Sequence, residues 1–279
     1  MNGGSTFRVG LIQMRSGTAP AANVDMAAKL IGEAKTGGAD YVQTPEMTNI
    51  LEVSREKLFA SIVPEEQDAS LATFRELARA LGICVHVGSL AIKASADKAV
   101  NRSFLIDRRG EIVARYDKIH MFDVDLKGGE SYRESRSYRP GDLAVLTDLP
   151  WGRLGLTICY DLRFPMLFAR IAEAGADVIS VPAAFTVPTG RAHWHVLLRA
   201  RAIEAGLFVV AAAQVGRHED GRQTFGHSLV VDPWGEVLLD MGDGSGIGFA
   251  DIDLSRISDV RSRIPALNHR KPIPEPVSQ

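Results

Sequence analysis

Cys159 is the residue of this chain best placed to act as a nucleophile. It follows a run of strand-forming residues, Leu154 to Ile158, at the point where the predicted strand stops. A thiol on a sharp turn after a strand is accessible, and the main-chain N–H groups beside it can stabilise an oxyanion. The other cysteine, Cys84, lies inside an apolar run and is expected to be a buried structural residue. A structural role is also the alternative for Cys159.

Three charged residues occupy positions from which they could assist a nucleophile. Glu46 follows Pro45 directly after a predicted strand, where a carboxylate can act as a general base. Lys118 and Glu134 lie in polar segments farther along the chain. Each of them, taken alone, has an ordinary explanation as a solvated or salt-bridged surface residue. The combination of the three with Cys159, and not any one position, indicates a catalytic site.

The elements that must position these residues alternate between short β-rich runs and amphipathic helical runs. This pattern predicts an α/β domain with a mixed sheet. Two hairpins are predicted, one turning at Asp107–Gly110 and one at Pro233–Gly235. Asn23 is expected to cap a first helix that ends at Gly37. The long polar segment 123–142 is expected to be a functional loop.

Length and composition restrict what the chain can be. It has 279 residues, of which 46% are hydrophobic and 24% charged, and this excludes a disordered chain, a collagen and a disulfide scaffold. One domain is expected over 1–279, with a core over about 7–265 and a proline-rich C-terminal tail. The net charge of −2 offers no basic excess for a nucleic-acid partner.

The same sequence gives no sign of export or of a membrane partner. The N-terminus lacks the basic and apolar regions of a signal peptide, and the longest apolar runs are far shorter than the roughly 20 residues that span a bilayer. Two cysteines are too few for a disulfide framework and suit a reducing compartment. We therefore expect a soluble, cytoplasmic protein.

Three segments that contain the candidate residues resemble the catalytic blocks of the nitrilase superfamily of carbon–nitrogen hydrolases. They are the segments 45–47, 116–123 and 155–165, which supply Glu, Lys and Cys in that order. The similarity extends over nearly the whole chain, from residue 9 to the hairpin at 233–235. It implies a single-domain, four-layer α-β-β-α sandwich. Family members commonly pair as dimers, so the resemblance also implies a homodimer or higher homo-oligomer.

Within the superfamily, the chain most resembles the Nit amidase branch. Segments 192–204, 210–218 and 226–235 carry this similarity, and the second of them is most like amidases that act on deaminated glutathione. Two positions depart from the branch. His195 replaces a residue that is commonly acidic, and Pro188 lies in a loop, 185–190, that is expected to border the pocket. Both departures concern the substrate and not the reaction.

The resemblance implies a role for each candidate catalytic residue. Cys159 would attack an amide carbonyl as a thiolate, and Glu46 would take its proton and pass it to the departing amine. Lys118, together with the backbone N–H of Tyr160, would stabilise the tetrahedral oxyanion. Glu134 would hydrogen-bond to Lys118 and position the substrate or water. The mechanism requires no metal or organic cofactor.

The substrate implied is a small amide that carries a 2-oxo acid. Arg163, Phe122, Phe185 and Thr186 are the residues expected to bind it; Arg163 could hold a carboxylate, with a structural ion pair as the alternative. The implied reaction converts deaminated glutathione, through a thioester, to 2-oxoglutarate and Cys-Gly. The alternatives are an ω-amidase acting on 2-oxoglutaramate or 2-oxosuccinamate, an N-carbamoyl amidohydrolase, and an inactive relative that serves as a binding or scaffold protein.

His193 and His195 are the one histidine pair that could suggest a metal site. Residues i and i+2 do not share a face of a helix, so a helical segment would separate these two side chains. With no cysteine or acidic partner at ligand spacing, the sequence predicts no metal site.

Overall fold

Two six-stranded sheets form the centre of the computed structural model, which describes residues 6–126 and 131–278. The first has the order β16-β1-β2-β3-β4-β5 and the second β15-β14-β11-β10-β9-β8. The strands are, in chain order, β1 Thr6–Gln13, β2 Tyr41–Gln43, β3 Cys84–Lys93, β4 Ala99–Ile106, β5 Ile112–Asp117, β6 Asp123–Asp125, β7 Ser131–Arg133, β8 Val145–Asp148, β9 Arg153–Leu156, β10 Val178–Ser180, β11 Phe208–Ala211, β12 Val215–Arg217, β13 Gln223–Phe225, β14 Leu229–Val231, β15 Val237–Asp240 and β16 Gly246–Asp253. Both predicted hairpins are confirmed, as β4–β5 and β14–β15.

Helices cover the outer face of each sheet. The α-helices of the described residues are α1 Pro20–Thr36, α2 Arg55–Ser61, α3 Ala69–Leu81, α4 Pro165–Glu173, α5 Val187–Ala205 and α6 Ser255–Arg263. α1 and α3 pack on the first sheet, and α5 packs on the second with α4 beside it. The order helix, sheet, sheet, helix confirms the predicted four-layer sandwich. In the part of the chain that is described, no helix has the length and apolar content to span a bilayer.

The alternation of side chains along β1 shows why two cores form. Val9 and Leu11 are fully buried in the core that lies between the sheets, whereas Ile12 belongs to the core beneath α1 and α3. Because successive residues of a strand point to opposite faces, a strand that is apolar on both faces can fill two cores at once.

The structure corrects the predicted start of the first helix. α1 begins at Pro20, so Asn23 lies inside the helix and is not its cap. A proline fits the first helical turn because its missing N–H is not needed there. The Asn23 side chain instead accepts a hydrogen bond from the Gly17 N–H (2.7 Å) and donates to the Asn49 carbonyl (2.8 Å), and thereby ties two loops to the helix.

The segment around Pro188 also differs from the expectation. α5 starts at Val187, so Pro188 lies in its first turn and not in a loop. The polar segment 123–142 was expected to be a loop, but it contains the β6–β7 hairpin and a 3-10 turn, Glu134–Arg136. A short hairpin in a polar segment has little apolar alternation to reveal it.

A buried polar network around His86 links the two sheets. The Tyr41 hydroxyl lies 2.6 Å from His86 Nδ1, and Ser103 Oγ lies 2.7 Å from Nε2. Gln43 Nε2 lies 3.3 Å from the same Nδ1, and Gln43 Oε1 accepts a hydrogen bond at 3.0 Å from the N–H of Ala212, which directly follows β11 of the second sheet. Burial lowers the pKa of His86 to about 3, so the imidazole is neutral at physiological pH.

We expect His86 to make the fold sensitive to acid. The unfolded chain takes up a proton at His86 near its ordinary pKa of about 6.5, whereas the folded chain does so only near 3. Its contribution to the unfolding free energy is therefore complete above pH 6.5 and falls by up to about 1.4 kcal/mol for each pH unit below that. Thermal unfolding between pH 7 and pH 4 should show a shallower loss of stability for His86→Gln than for the wild type.

An exposed histidine provides the control. His269→Gln should retain the wild-type pH dependence, because this side chain is solvent-exposed in both states. Equal pH slopes for the wild type and His86→Gln would contradict the assignment.

Candidate active site

The four predicted catalytic side chains lie together where the two sheets meet. Glu46 follows β2 and Lys118 follows β5, both in the first sheet, and Glu134 begins the 3-10 turn after β7. Cys159 comes from the second sheet, three residues after the end of β9. All four line one pocket with a cavity volume of about 710 Å³.

Lys118 is held between the two carboxylates. Its Nζ lies 2.9 Å from Glu46 Oε1 and 2.9 Å from Glu134 Oε2, and only 2% of its side chain is exposed. Burial alone would lower the pKa of Lys118, but Glu134 and Glu46 together raise it well above its usual range. The site therefore holds a permanent cation at the base of the pocket.

The Cys159 thiol and the Glu46 carboxylate line the same pocket and influence each other's ionisation. Burial and the negative charge of Glu46 raise the pKa of Cys159 well above that of a free thiol. Burial opposes the ionisation of Glu46, but its ion pair with Lys118 and its hydrogen bonds hold the pKa of this carboxyl below its usual range. The resting pair is thus a neutral thiol beside an ionised carboxylate, which is the arrangement that general-base activation requires.

A strained turn presents Cys159 to the pocket. Its φ of +49° lies in the left-handed region, which is unusual for a residue with a side chain. The buried Asp161 carboxylate fixes this turn by accepting hydrogen bonds from the Ile158 N–H (2.9 Å), the Tyr116 hydroxyl (2.7 Å) and the His120 N–H (3.1 Å). Backbone strain of this kind persists only where the surroundings determine it, and here it orients the sulfur.

Asn101 is a residue of the site that sequence reasoning missed. It lies on β4, with its Nδ2 2.8 Å from Glu46 Oε1 and 3.3 Å from Glu134 Oε1. Its main-chain carbonyl accepts a hydrogen bond from the main-chain N–H of Lys118 at 3.0 Å. Asn101 therefore joins both carboxylates and the main chain of the lysine. The sequence offered little signal for it, because Asn101 is followed in the same strand by two other polar residues, Arg102 and Ser103.

The predicted substrate-binding residues divide into two groups. Phe122, Phe185 and Thr186 line the pocket, as does Tyr160. Arg163 is not among the lining residues. Its guanidinium lies behind the wall, 5.5 Å from the Phe185 ring centre, with Nη2 3.2 Å from His193 Nδ1.

Four other arginines line the pocket and were not singled out from the sequence. They are Arg55, Arg133, Arg136 and Arg222. Arg133 and Arg136 flank Glu134 in one segment, whereas Arg55 and Arg222 come from distant parts of the chain, so no single spacing rule connects the four. A pocket with carboxylates and a thiol at its base and several guanidinium groups on its walls suits an anionic ligand.

Comparison with known proteins agrees with this geometry. A family model described as carbon-nitrogen hydrolase matches residues 8–262. A protein named deaminated glutathione amidase from Yersinia enterocolitica is 42% identical over 267 residues, which cover 94% of this chain and 92% of that protein. The NitFhit protein of C. elegans has a TM-score of 0.89 at 36% identity, over 96% of this chain and 66% of that longer one.

A second solved structure, Saccharomyces cerevisiae Nit3, is described as a member of branch 10 of the nitrilase superfamily. It has a TM-score of 0.84 at 28% identity, over 93% of this chain and 94% of its own. The similarity thus covers the whole arrangement of sheets and helices that positions the pocket.

Removal of the Glu46 charge should lower the pKa of the Cys159 thiol. Glu46→Gln takes away the carboxylate that raises this pKa and leaves the Lys118 cation in place. We expect the pH dependence of thiol alkylation by iodoacetamide to shift to lower pH. The measurement is best made in a Cys84→Ala background, because Cys159 is then the one remaining thiol. An unchanged or raised thiol pKa in Glu46→Gln would show that the two groups are not coupled.

Proposed function

Since this chain belongs to the nitrilase superfamily of carbon–nitrogen hydrolases, we propose that it is a cysteine amidase that hydrolyses deaminated glutathione to 2-oxoglutarate and Cys-Gly. The observation that carries the proposal is the buried Glu46–Lys118–Cys159 cluster at the base of a pocket with arginines on its walls. The name of the Yersinia enterocolitica relative supports the same substrate.

The size and charge of the pocket favour this substrate over a smaller one. Deaminated glutathione carries a carboxylate at each end, and a cavity of about 710 Å³ is large enough for a ligand of this size. 2-Oxoglutaramate has a single carboxylate and would leave most of the pocket and its arginines unused. The ω-amidase alternative therefore fits the pocket less well.

The acylation step begins with the neutral thiol and the ionised Glu46. As the Cys159 sulfur attacks the amide carbonyl, its proton passes to Glu46 and a carbon–sulfur bond forms. Lys118 Nζ and the Tyr160 N–H hold the oxyanion of the tetrahedral intermediate. Glu46 then protonates the amine nitrogen, the carbon–nitrogen bond breaks, and Cys-Gly leaves with the thioester still on Cys159.

Deacylation repeats these steps with water. Glu46, again ionised, takes a proton from a water molecule that attacks the thioester, and 2-oxoglutarate leaves as the proton returns to Cys159. Glu134 keeps Lys118 in place through two hydrogen bonds, 3.1 and 2.9 Å long, and accepts the Phe122 N–H at 2.7 Å. We assign it the role of positioning the cation and the substrate.

The two ends of the substrate are assigned to different arginines. The 2-oxo acid lies beside Phe185 and Thr186, where Arg163 reaches its carboxylate after turning away from His193. The glycine carboxylate of the leaving group extends toward the pocket arginines. Among them we assign it to Arg222, because the Asp220 carboxylate, 2.6 Å from its Nε, holds this guanidinium at the pocket wall.

We further propose that the chain forms a homodimer and works in the cytoplasm. Met166 on α4 and Val196 and Ile203 on α5 are more than half exposed, and an apolar surface of this kind is typical of an interface. Both cysteines are free, as a reducing compartment and a thiol nucleophile require. To test the homodimer, light scattering by the purified chain should give twice the mass of a single chain.

Purified protein should prefer deaminated glutathione over 2-oxoglutaramate, glutamine, an N-carbamoyl amino acid and a simple nitrile. Cys159→Ala should abolish turnover, and Glu46→Gln should lower kcat by about 10²–10⁴-fold, because the general base is lost. Lys118→Ala should lower it by about 10²-fold or more through loss of an oxyanion donor. Circular dichroism controls for folding, since that variant leaves two buried carboxylates without their cation.

Preference for 2-oxoglutaramate or an N-carbamoyl amino acid would contradict the proposed substrate and assign the same catalytic residues to another amidase reaction. Turnover by Cys159→Ala near the wild-type rate would refute the nucleophile. Absence of activity toward every compound would favour a binding or scaffold role.

The two arginine assignments predict different substrate patterns. Arg163→Ala should raise KM by about 10-fold or more for both deaminated glutathione and 2-oxoglutaramate, because the two share the 2-oxo acid. Arg222→Ala should raise KM for deaminated glutathione alone. Arg217→Ala, an exposed arginine outside the pocket, is the matched control. An equal effect of Arg222→Ala on both substrates would contradict the assignment of the leaving-group end.

A further inference from the structure

His195, His227 and Asp240 form a cluster apart from the catalytic residues. His195 Nε2 lies 2.9 Å from Asp240 Oδ2, and His227 Nδ1 lies 2.8 Å from Asp240 Oδ1. One nitrogen or oxygen from each residue lies within 4.8 Å of the others. None of the three lines the substrate pocket.

The fold brings these side chains together from three elements. His195 lies on α5, His227 follows β13, and Asp240 ends β15. The distance between them along the chain explains why spacing did not reveal the cluster. The predicted separation of His193 from His195 holds, because His193 contacts Arg163 whereas His195 contacts Asp240.

His227 is held in place by contacts that do not use its ligand nitrogen. His227 has a φ of +55°, and its main chain is fixed at both ends: its N–H donates to the Gly242 carbonyl at 2.7 Å, and its carbonyl accepts Trp194 Nε1 at 2.7 Å. Its ring stacks on Phe225, with the ring centres 4.3 Å apart. An imidazole fixed in this way meets the Asp240 carboxylate without a further loss of side-chain freedom.

We propose that His195, His227 and Asp240 bind a divalent transition-metal ion such as Zn²⁺. Two imidazoles and a carboxylate are a typical ligand set for zinc, with water in the fourth position. Ligand atoms around tetrahedral zinc lie about 3.3 Å apart, so small side-chain rotations convert the present hydrogen bonds into metal bonds. Nitrogen ligands favour zinc, nickel or copper over magnesium or calcium.

Exposure and surroundings support the site. The side chains are 34%, 26% and 34% exposed, which gives an ion access and leaves room for a water ligand. The Gly242 N–H donates to Asp240 Oδ1 at 2.9 Å and orients the carboxylate in the way that outer partners orient metal ligands. This proposal revises the expectation, drawn from sequence spacing, of no metal site.

The site lies where it would stiffen one wall of the pocket. Thr186, just before α5, and Thr189, in its first turn, line the pocket. Gln223 and Thr224 of β13 line it as well. A metal bound by His195 and His227 would join α5 to the segment that follows β13. The role is structural, so amide hydrolysis itself does not require the ion.

The test is metal binding to the full chain after dialysis against a chelator. Calorimetric titration with Zn²⁺ should show one site per chain, and thermal unfolding should move to higher temperature with added Zn²⁺. His195→Ala and Asp240→Asn should each weaken binding by more than about 10-fold. His193→Ala, two residues away on the same helix, should bind Zn²⁺ as the wild type does.

Co²⁺ separates this site from the catalytic thiol. The Co²⁺ form should lack the near-ultraviolet band of a cobalt–thiolate bond, and Cys159→Ala should retain full affinity. Loss of binding in Cys159→Ala, unchanged binding in both His195→Ala and Asp240→Asn, or no saturable binding would overturn the proposal. Because metal binding is measured directly, this result is independent of the proposed amidase substrate.

Discussion

A lysine ammonium buried between two carboxylates determines how the rest of the active site is built. A buried charge is costly unless it is paired and hydrogen-bonded, and Lys118 meets this requirement through Glu46 and Glu134. Together the three groups carry one net negative charge, which favours a neutral Cys159 thiol at rest. When the proton moves from Cys159 to Glu46, the total charge of the site does not change. The site can therefore create a strong nucleophile without exposing a new charge to the protein interior.

This arrangement depends on how the two sheets are fastened together. Glu46 comes from the first sheet, yet its Oε2 accepts the Ala184 N–H at 2.8 Å, and its carbonyl accepts Gln214 Nε2 at 2.9 Å, both from the second half of the chain. The hydrogen bond between Gln43 and Ala212 also joins the first sheet to the second half of the chain. A nucleophile and a base on separate sheets stay in register only because buried hydrogen bonds fix one sheet on the other. These buried hydrogen bonds thus help to keep Glu46 at a fixed distance from Cys159.

The sequence was most informative where chemistry and strand ends coincide. Glu46, Lys118 and Cys159 could be found because each follows a recognisable strand and because their order resembles that of a known superfamily. Asn101 and the pocket arginines could not be found, because their importance comes from which strands and loops become neighbours in space. The errors at Asn23 and Pro188 have a local cause: proline in the first turn defined both helix starts, and capping and loop signals suggested other boundaries. The histidine cluster shows the same limit, since sequence spacing reports only on contacts within one element.

The pairing of the first strand with the last has a consequence for how the chain reaches its native state. β1 pairs with β16 over its whole length, from Thr6 opposite Asp253 to Gln13 opposite Gly246. During synthesis, one side of β1 therefore has no partner until β16 has left the ribosome. An unpaired strand edge that is apolar on both faces is prone to pair with other chains. The first sheet is completed only by a contact between distant parts of the chain, and pairing of this kind favours slow, late closure of the sheet.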